Sequence, residues 1–168
     1  ISKKSKIFIT GHNGLVGSSI LKILKNYGYK NILIVEKKKL NLTSKKDGEK
    51  FIKNKKVEYI INCAAKVGGI LANSAQLVEF FYENIQMQNN LLMASKKYKV
   101  KRFIFLGSSC IYPKNSKTPI TEEQLLSGKL EKTNEAYALA KISGVKLSEY
   151  LFYQKKMDVI CIMPTNLF

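Results

Sequence analysis

Lys6-Ile7-Phe8-Ile9-Thr10-Gly11-His12-Asn13-Gly14-Leu15-Val16-Gly17 (KIFITGHNGLVG) decides the fold of this 168-residue chain. Lys6 to Thr10 is a short apolar run stopped by glycine, which predicts a buried strand. Leu15, Ile20, Leu21 and Leu24 fall near helical spacing, so a helix is expected from Leu15 to Tyr27, ended by Gly28. The glycines between them stand as G-x-x-G-x-x-G. Gly11 permits a tight turn, Gly14 removes a side chain where backbone must approach a ligand, and Gly17 lets the helix pack closely on the strand. The helix start offers free N–H groups and the positive end of a dipole, which suits the pyrophosphate of a dinucleotide. A glycine-rich turn without a ligand would not need this strand-loop-helix context.

Further strands are expected at Asn31 to Val35, Glu58 to Cys63, Arg102 to Leu106 and Val159 to Met163, the last stopped by Pro164. Helices are expected at Thr43 to Asn54, Gln76 to Tyr98 and Asn134 to Lys155. On the long helix Leu77, Phe81, Ile85 and Leu92 are expected to form the apolar face. Gly68-Gly69 marks a loop, and Pro113 to Thr133 reads as a polar loop with one turn near Glu122 to Leu126. Alternation of strand and helix implies right-handed crossovers and a mainly parallel sheet. The expected class is therefore α/β, a Rossmann-type doubly wound sheet. No internal repeat is present, and residues 1–168 are read as one dinucleotide-binding domain. The chain stops just after the fifth expected strand, so this domain is read as incomplete at its C-terminus.

Composition narrows the function classes. Net charge is +17, from 29 Lys+Arg against 12 Asp+Glu. Such charge fits an anionic partner such as nucleic acid. Arg102 is however the only arginine, and the lysines are spread along the chain. Base and phosphate readers favour the planar arginine fork, so a solvated lysine-rich surface is the preferred reading. Cys63, Cys110 and Cys161 are odd in number and lack metal-ligand spacing, which argues against a disulfide framework or zinc site. His12 is the single histidine. No apolar run reaches membrane-spanning length, and the N-terminus lacks the apolar core of a signal peptide. A reducing, cytoplasmic setting is expected.

Chemistry is expected at the carboxyl ends of the strands, where open α/β sheets bind ligands. Ser108 follows the fourth strand in Leu106-Gly107-Ser108-Ser109-Cys110. Tyr137 and Lys141 form Y-x-x-x-K, one helical turn apart on one face. A nearby ammonium stabilises phenolate, so Lys141 is expected to lower the Tyr137 pKa and make it an exchangeable proton source. Ser108 can hold the same substrate oxygen. After the second strand, Glu36 suits a free ribose hydroxyl (NAD), whereas Lys37, Lys38 and Lys39 suit a 2′-phosphate; NADP is favoured over NAD.

These residues resemble the extended short-chain dehydrogenase/reductase family and, within it, the GDP-L-fucose synthases. The likeness rests on Gly11-His12-Asn13-Gly14, Ala64-Ala65-Lys66-Val67-Gly68-Gly69-Ile70, Tyr82-Glu83-Asn84, Gly107-Ser108-Ser109-Cys110-Ile111-Tyr112-Pro113 and Pro164-Thr165-Asn166-Leu167. It implies epimerisation of GDP-4-keto-6-deoxy-D-mannose at C3 and C5, then NADPH-dependent reduction at C4. Carried over by position, Ser108, Tyr137 and Lys141 serve the reduction, and Cys110 is the acid/base thiol of epimerisation. The implied cofactor site comprises Gly11, His12, Asn13, Gly14, Leu15, Val16 and Gly17. It continues through Lys37, Asn41, Leu42, Ala64 and Ala65. It ends with Leu106, Gly107, Ser108, Ser109, Tyr137, Lys141, Pro164, Thr165, Asn166 and Leu167. No metal is implied.

Three departures stand out. Asn13 occupies a place where the family commonly has arginine, and Lys37 replaces a second arginine of the 2′-phosphate site. The family's cysteine also works with a histidine, a place that His12 in the glycine loop cannot fill. That partner and most of the GDP-sugar-binding domain are expected beyond Phe168. The resemblance further implies a homodimer formed through helices such as Gln76 to Tyr98 and Asn134 to Lys155. Two other functions compete: another nucleotide-sugar epimerase or dehydratase of the same superfamily, and a non-catalytic nucleic-acid-binding protein on this fold.

Overall fold

The structure, a computed structural model, describes residues 1–165 and Leu167. Five parallel strands lie in the order β2-β1-β3-β4-β5. They are β1 (Ile7–Thr10), β2 (Ile32–Leu33), β3 (Tyr59–Asn62), β4 (Arg102–Leu106) and β5 (Val159–Ile162). The long helices are α1 (Leu15–Asn26), α2 (Lys45–Lys55), α4 (Leu77–Lys97) and α5 (Glu135–Lys155), with a short α3 (Ile70–Ala75) before α4. The chain moves one way from β1 to β2, then back past β1 to β3. Right-handed crossovers therefore place α1 on one sheet face and the later helices on the other. The crevice between the carboxyl ends of β1 and β3 is the switch point where such sheets hold ligands.

Strand β1 is buried along its whole length, as suits a central parallel strand. Phe8, Ile60, Phe103 and Phe105 project to the face covered by α2, α4 and α5, where Ile52, Leu91, Leu92 and Leu151 complete the core. Each phenylalanine there contributes about 2–3 kcal/mol by burial. Helix α5 comes close to β4 at Gly144: a Cβ there would stand 2.5 Å from the Phe105 ring. Gln88 then ties α4 to α5, donating to the Ala140 carbonyl at 2.5 Å and to Ser143 Oγ at 3.1 Å.

Several expectations change. Strand β2 is only Ile32–Leu33 rather than Asn31 to Val35. It is an edge strand paired only to Ile7 and Phe8, and the chain then turns back as the Lys39 and Leu40 N–H groups bond to the Glu36 carbonyl. The Gly68-Gly69 loop runs straight into α3, capped by Gly69 and held by Asn73, whose Nδ2 donates to the Gly68 carbonyl at 2.8 Å. Leu77 and Phe81 are exposed instead of lining the inner face of α4. That face carries Phe80, Asn84, Met87, Gln88 and Leu91. Leu92 is buried as expected; toward the start of α4 the inward polar residues bond to neighbouring backbone, and hydropathy spacing alone misses them. Among the described residues no helix is long and apolar enough to cross a membrane.

Candidate active site

The glycine loop has the shape of a phosphate cradle. Gly11 takes a positive φ of 65°, and a Cβ there would sit 2.8 Å from the Ala64 nitrogen. A Cβ on Gly17 would lie 2.2 Å from the Gly11 carbonyl oxygen. Gly14 is different: its nearest neighbour would be 3.4 Å away, so its missing side chain opens space toward solvent. Gly14 caps α1 with no side-chain hydrogen bond. The first-turn N–H groups are thus left for an anion, and the backbone fits the pyrophosphate of a dinucleotide. His12, Asn13, Leu15 and Val16 stand on this loop and first turn.

The crevice walls are tied together by side chains. Thr10 Oγ1 donates to Asn62 Oδ1 at 2.7 Å and accepts from the Ala64 N–H at 3.0 Å. Asn84 accepts from the Lys66 N–H at 2.8 Å and donates to the Lys66 carbonyl at 3.0 Å. Ala64 and Ala65 are therefore held at both ends against the glycine loop. On the other wall Asn41 and Leu42 lie in the segment between β2 and α2, tied by hydrogen bonds. Asn41 Oδ1 accepts from the Thr43 N–H at 3.0 Å, and the Leu42 carbonyl accepts from Asn90 at 3.0 Å. Lys37 stands on the loop after β2, 3.8 Å from Glu83.

The chemical residues gather at the end of β4. Gly107 continues that strand, its N–H bonding the Ile162 carbonyl at 2.8 Å, and the Ser109 N–H bonds the Pro164 carbonyl at 3.1 Å. A short 3-10 turn, Ser109–Ile111, follows, and Ser108 caps it by accepting from the Cys110 N–H at 3.3 Å. Cys110 thus turns back beside Ser108. Helix α5 brings Tyr137 and Lys141 to the same place, with the Lys141 ammonium 5.7 Å from the Tyr137 ring centre and 5.0 Å from that of Phe105. Burial pushes the Tyr137 phenol up to about 12, and the negative charge available at Cys110 adds to the rise. That is opposite to the expected lowering by Lys141. Burial is the larger cause, and Lys141 directs its Nζ at the Leu106 carbonyl, 2.7 Å away. Burial also lowers Lys141 to about 8. Thr165 and Leu167 lie past β5 without a described polar contact, and Asn166 lies outside the described residues. No group of His, Cys, Asp and Glu able to hold a metal occurs among the described residues, and the three cysteines are free thiols.

The family profile described as Epimerase, NAD dependent epimerase/dehydratase family, matches residues 7–168. The chain belongs to the NAD dependent epimerase/dehydratase family. Within it, the chain is 45% identical to GDP-L-fucose synthase 1 of Arabidopsis thaliana over 166 residues, which is 99% of this chain and 51% of that protein. The chain is similar in structure to MlghC, the GDP-mannoheptose C4 reductase from Campylobacter jejuni with NADP bound. The TM-score is 0.97 at 34% identity, covering 100% of this chain and 50% of that one. A GDP-L-fucose synthetase from Naegleria fowleri bound to NADP matches with TM-score 0.89 at 30% identity, over 100% of this chain and 56% of that one. The chain spans about half the length of the curated relatives it matches.

Four features of this epimerase/dehydratase-family site escape a motif search: Thr10, Asn62, Lys66 and Glu83. Thr10 reads in the sequence only as the end of an apolar strand, and Asn62 as a polar residue inside one. A buried polar residue at a strand end carried the signal, since such groups demand partners. Lys66 and Glu83 lie within segments quoted for their family likeness, but 17 residues separate them and only the fold joins them, at 3.1 Å.

Proposed function

We propose that the whole protein carrying this chain converts GDP-4-keto-6-deoxy-D-mannose to GDP-L-fucose, by epimerisation at C3 and C5 and NADPH-dependent reduction at C4. The observation that carries this is the convergence of Ser108, Cys110, Tyr137 and Lys141 at the end of β4, next to the glycine cradle. The likeness to GDP-L-fucose synthases and to NADP-bound GDP-sugar reductases supports it. NADPH, when bound, supplies a hydride for C4.

The chain's own residues account for the protons. Ser108 and Tyr137 hold the 4-keto oxygen through their hydroxyls, which makes the neighbouring C–H bonds more acidic. Cys110, beside Ser108, removes a proton from carbon next to that ketone. A second acid/base group, from outside this chain, returns a proton on the opposite face. In reduction the phenol of Tyr137 gives its proton to the 4-keto oxygen, leaving an alcohol. A phenol is protonated at neutral pH, the form a donor needs, and burial moves the Tyr137 pKa further from neutral. The Lys141 ammonium, close to the ring, offsets the phenolate that remains.

The dinucleotide-binding domain spans residues 1–168 and continues into a GDP-sugar-binding part. The protein works in the cytoplasm as a homodimer and needs neither membrane nor nucleic acid. Exposed Phe81, Tyr82 and Met93 on α4, with Tyr150 on α5, support helix-to-helix pairing of two copies. The test is to give the whole protein NADPH with the 4-keto-6-deoxy sugar nucleotide and read the product by NMR. GDP-L-fucose is expected. Turnover only with other nucleotide sugars would replace this function by that of another superfamily epimerase or dehydratase.

A further inference from the structure

Strand β1 lies between β2 and β3, so the loops after β2 and β3 flank the glycine cradle on its two sides. Each loop carries a lysine: Lys37 after β2 and Lys66 after β3. Glu83, one helix away on α4, reaches both. One carboxylate oxygen stands 3.1 Å from Lys66 Nζ and the other 3.8 Å from Lys37 Nζ. Glu83 is held in place, since its neighbour Asn84 is buried and bonded to both backbone groups of Lys66. The other acid of this wall, Glu36, is taken up by Lys38 at 3.2 Å. No arginine stands in either flanking loop, so cation recognition here depends on lysine point charges.

We propose that Glu83 is a specificity-determining residue of the adenosine end of the cofactor site, acting against a 2′-phosphate by occupying the two lysines that would bind it. The inference rests on the dinucleotide-binding function above and refines its cofactor preference. A 2′-phosphate brings between one and two negative charges, whereas a free ribose hydroxyl brings none. Glu83 repels the first and is indifferent to the second. It also engages Lys37 and Lys66, which must exchange partners before gripping phosphate. The negative charge of Glu83 therefore narrows the preference for NADPH over NADH.

The experiment measures equilibrium binding of adenosine 2′,5′-bisphosphate and adenosine 5′-monophosphate to the whole protein by calorimetry. Both probes share the 5′-phosphate at the glycine cradle and differ only at the 2′ position. Glu83→Gln is expected to tighten the bisphosphate about fivefold and leave the monophosphate within about twofold, the scale of one partly exposed charge pair. Glu83→Ala should act in the same direction, and Lys37→Ala should loosen the bisphosphate alone. The gain from Glu83→Gln should shrink in high salt. Equal weakening of both probes in the Glu83 variants would mean the residue only supports the fold, and would overturn the inference. An unchanged ratio would overturn it too, while leaving the cofactor site standing. Failure of the unaltered protein to bind either probe would instead remove the dinucleotide-binding function, and the role of Glu83 with it.

Discussion

Thr10 Oγ1 and Asn62 Oδ1 are joined by a buried hydrogen bond of 2.7 Å that closes the carboxyl ends of β1 and β3. The same hydroxyl accepts from the Ala64 N–H, so one oxygen sets the width of the switch-point crevice. Replacing Thr10 by valine keeps the shape and removes both bonds. Asn62 already has an unpartnered Nδ2, so its amide would then be left without a partner in a core position. A loss of about 2 kcal/mol in unfolding free energy is expected, measured by denaturant titration. A loss below about 0.5 kcal/mol would show that the pair carries no stability.

The glycine loop predicts a contrast between two single methyl groups. Gly17→Ala drives a Cβ to 2.2 Å from the Gly11 carbonyl oxygen, backbone that cannot move cheaply. It should cost about 2–3 kcal/mol in stability and abolish dinucleotide binding. Gly14→Ala meets nothing closer than 3.4 Å, so the fold should tolerate it. The methyl group would instead fill the space a pyrophosphate needs, weakening cofactor binding by about tenfold or more. Thermal melting and a cofactor titration on both variants separate the effects; equal destabilisation would refute the assignment.

Reduction and epimerisation should separate genetically. Tyr137→Phe removes the proton donor and should slow reduction about a hundredfold or more, while proton exchange next to the ketone, still supported by Ser108, slows less. Cys110→Ser should chiefly slow that exchange, followed by NMR in deuterated water, and spare reduction of an already epimerised ketone. Reduction undiminished in Tyr137→Phe would show that another group gives the proton.

Lys141 should leave a signature in the pH dependence of stability. Its folded pKa of about 8 lies below the ordinary 10.5. Between these values the unfolded chain holds a proton that the folded chain has released, so this group makes stability rise with pH. Cys63, raised from 9.0 to about 11 by burial, and Tyr137, raised from 10.0 to about 12, act in the opposite sense at higher pH. The contribution of Lys141 is isolated by comparison with Lys141→Met. Relative to that variant, the natural protein should gain stability from pH 8 to 10.5. A constant difference over that window would mean Lys141 is solvated in solution.

Much of the molecule was legible from spacing. Glycines at 11, 14 and 17 between an apolar run and an amphipathic helix place the cradle, because backbone approach and helix packing each exclude a side chain. Tyr137 and Lys141 share a face through helical pitch alone. Arg102 to Leu106 was bounded as found, since its apolar run ends in glycine. The short elements were not legible. Helix α3 begins at glycines that ordinarily mark loops, and β2 ends early because only β1 pairs with it.

The sequence by itself determined the α/β class, the order of its strands and long helices and the residue types able to do chemistry, because each depends on local periodicity and local backbone freedom. Only the tertiary structure decided what those residues face. The Lys141 ammonium bonds the Leu106 carbonyl, 35 residues away, and burial rather than a cation governs the Tyr137 phenol. Asn84 and Gln88 turn polar groups inward on α4 because loop and helix backbone wait there for partners. Thr10 meets Asn62, and Glu83 meets Lys37 and Lys66, only after parallel pairing brings distant strand ends together. Burial and charge pairing are properties of that assembled environment, and one-dimensional spacing holds no record of them.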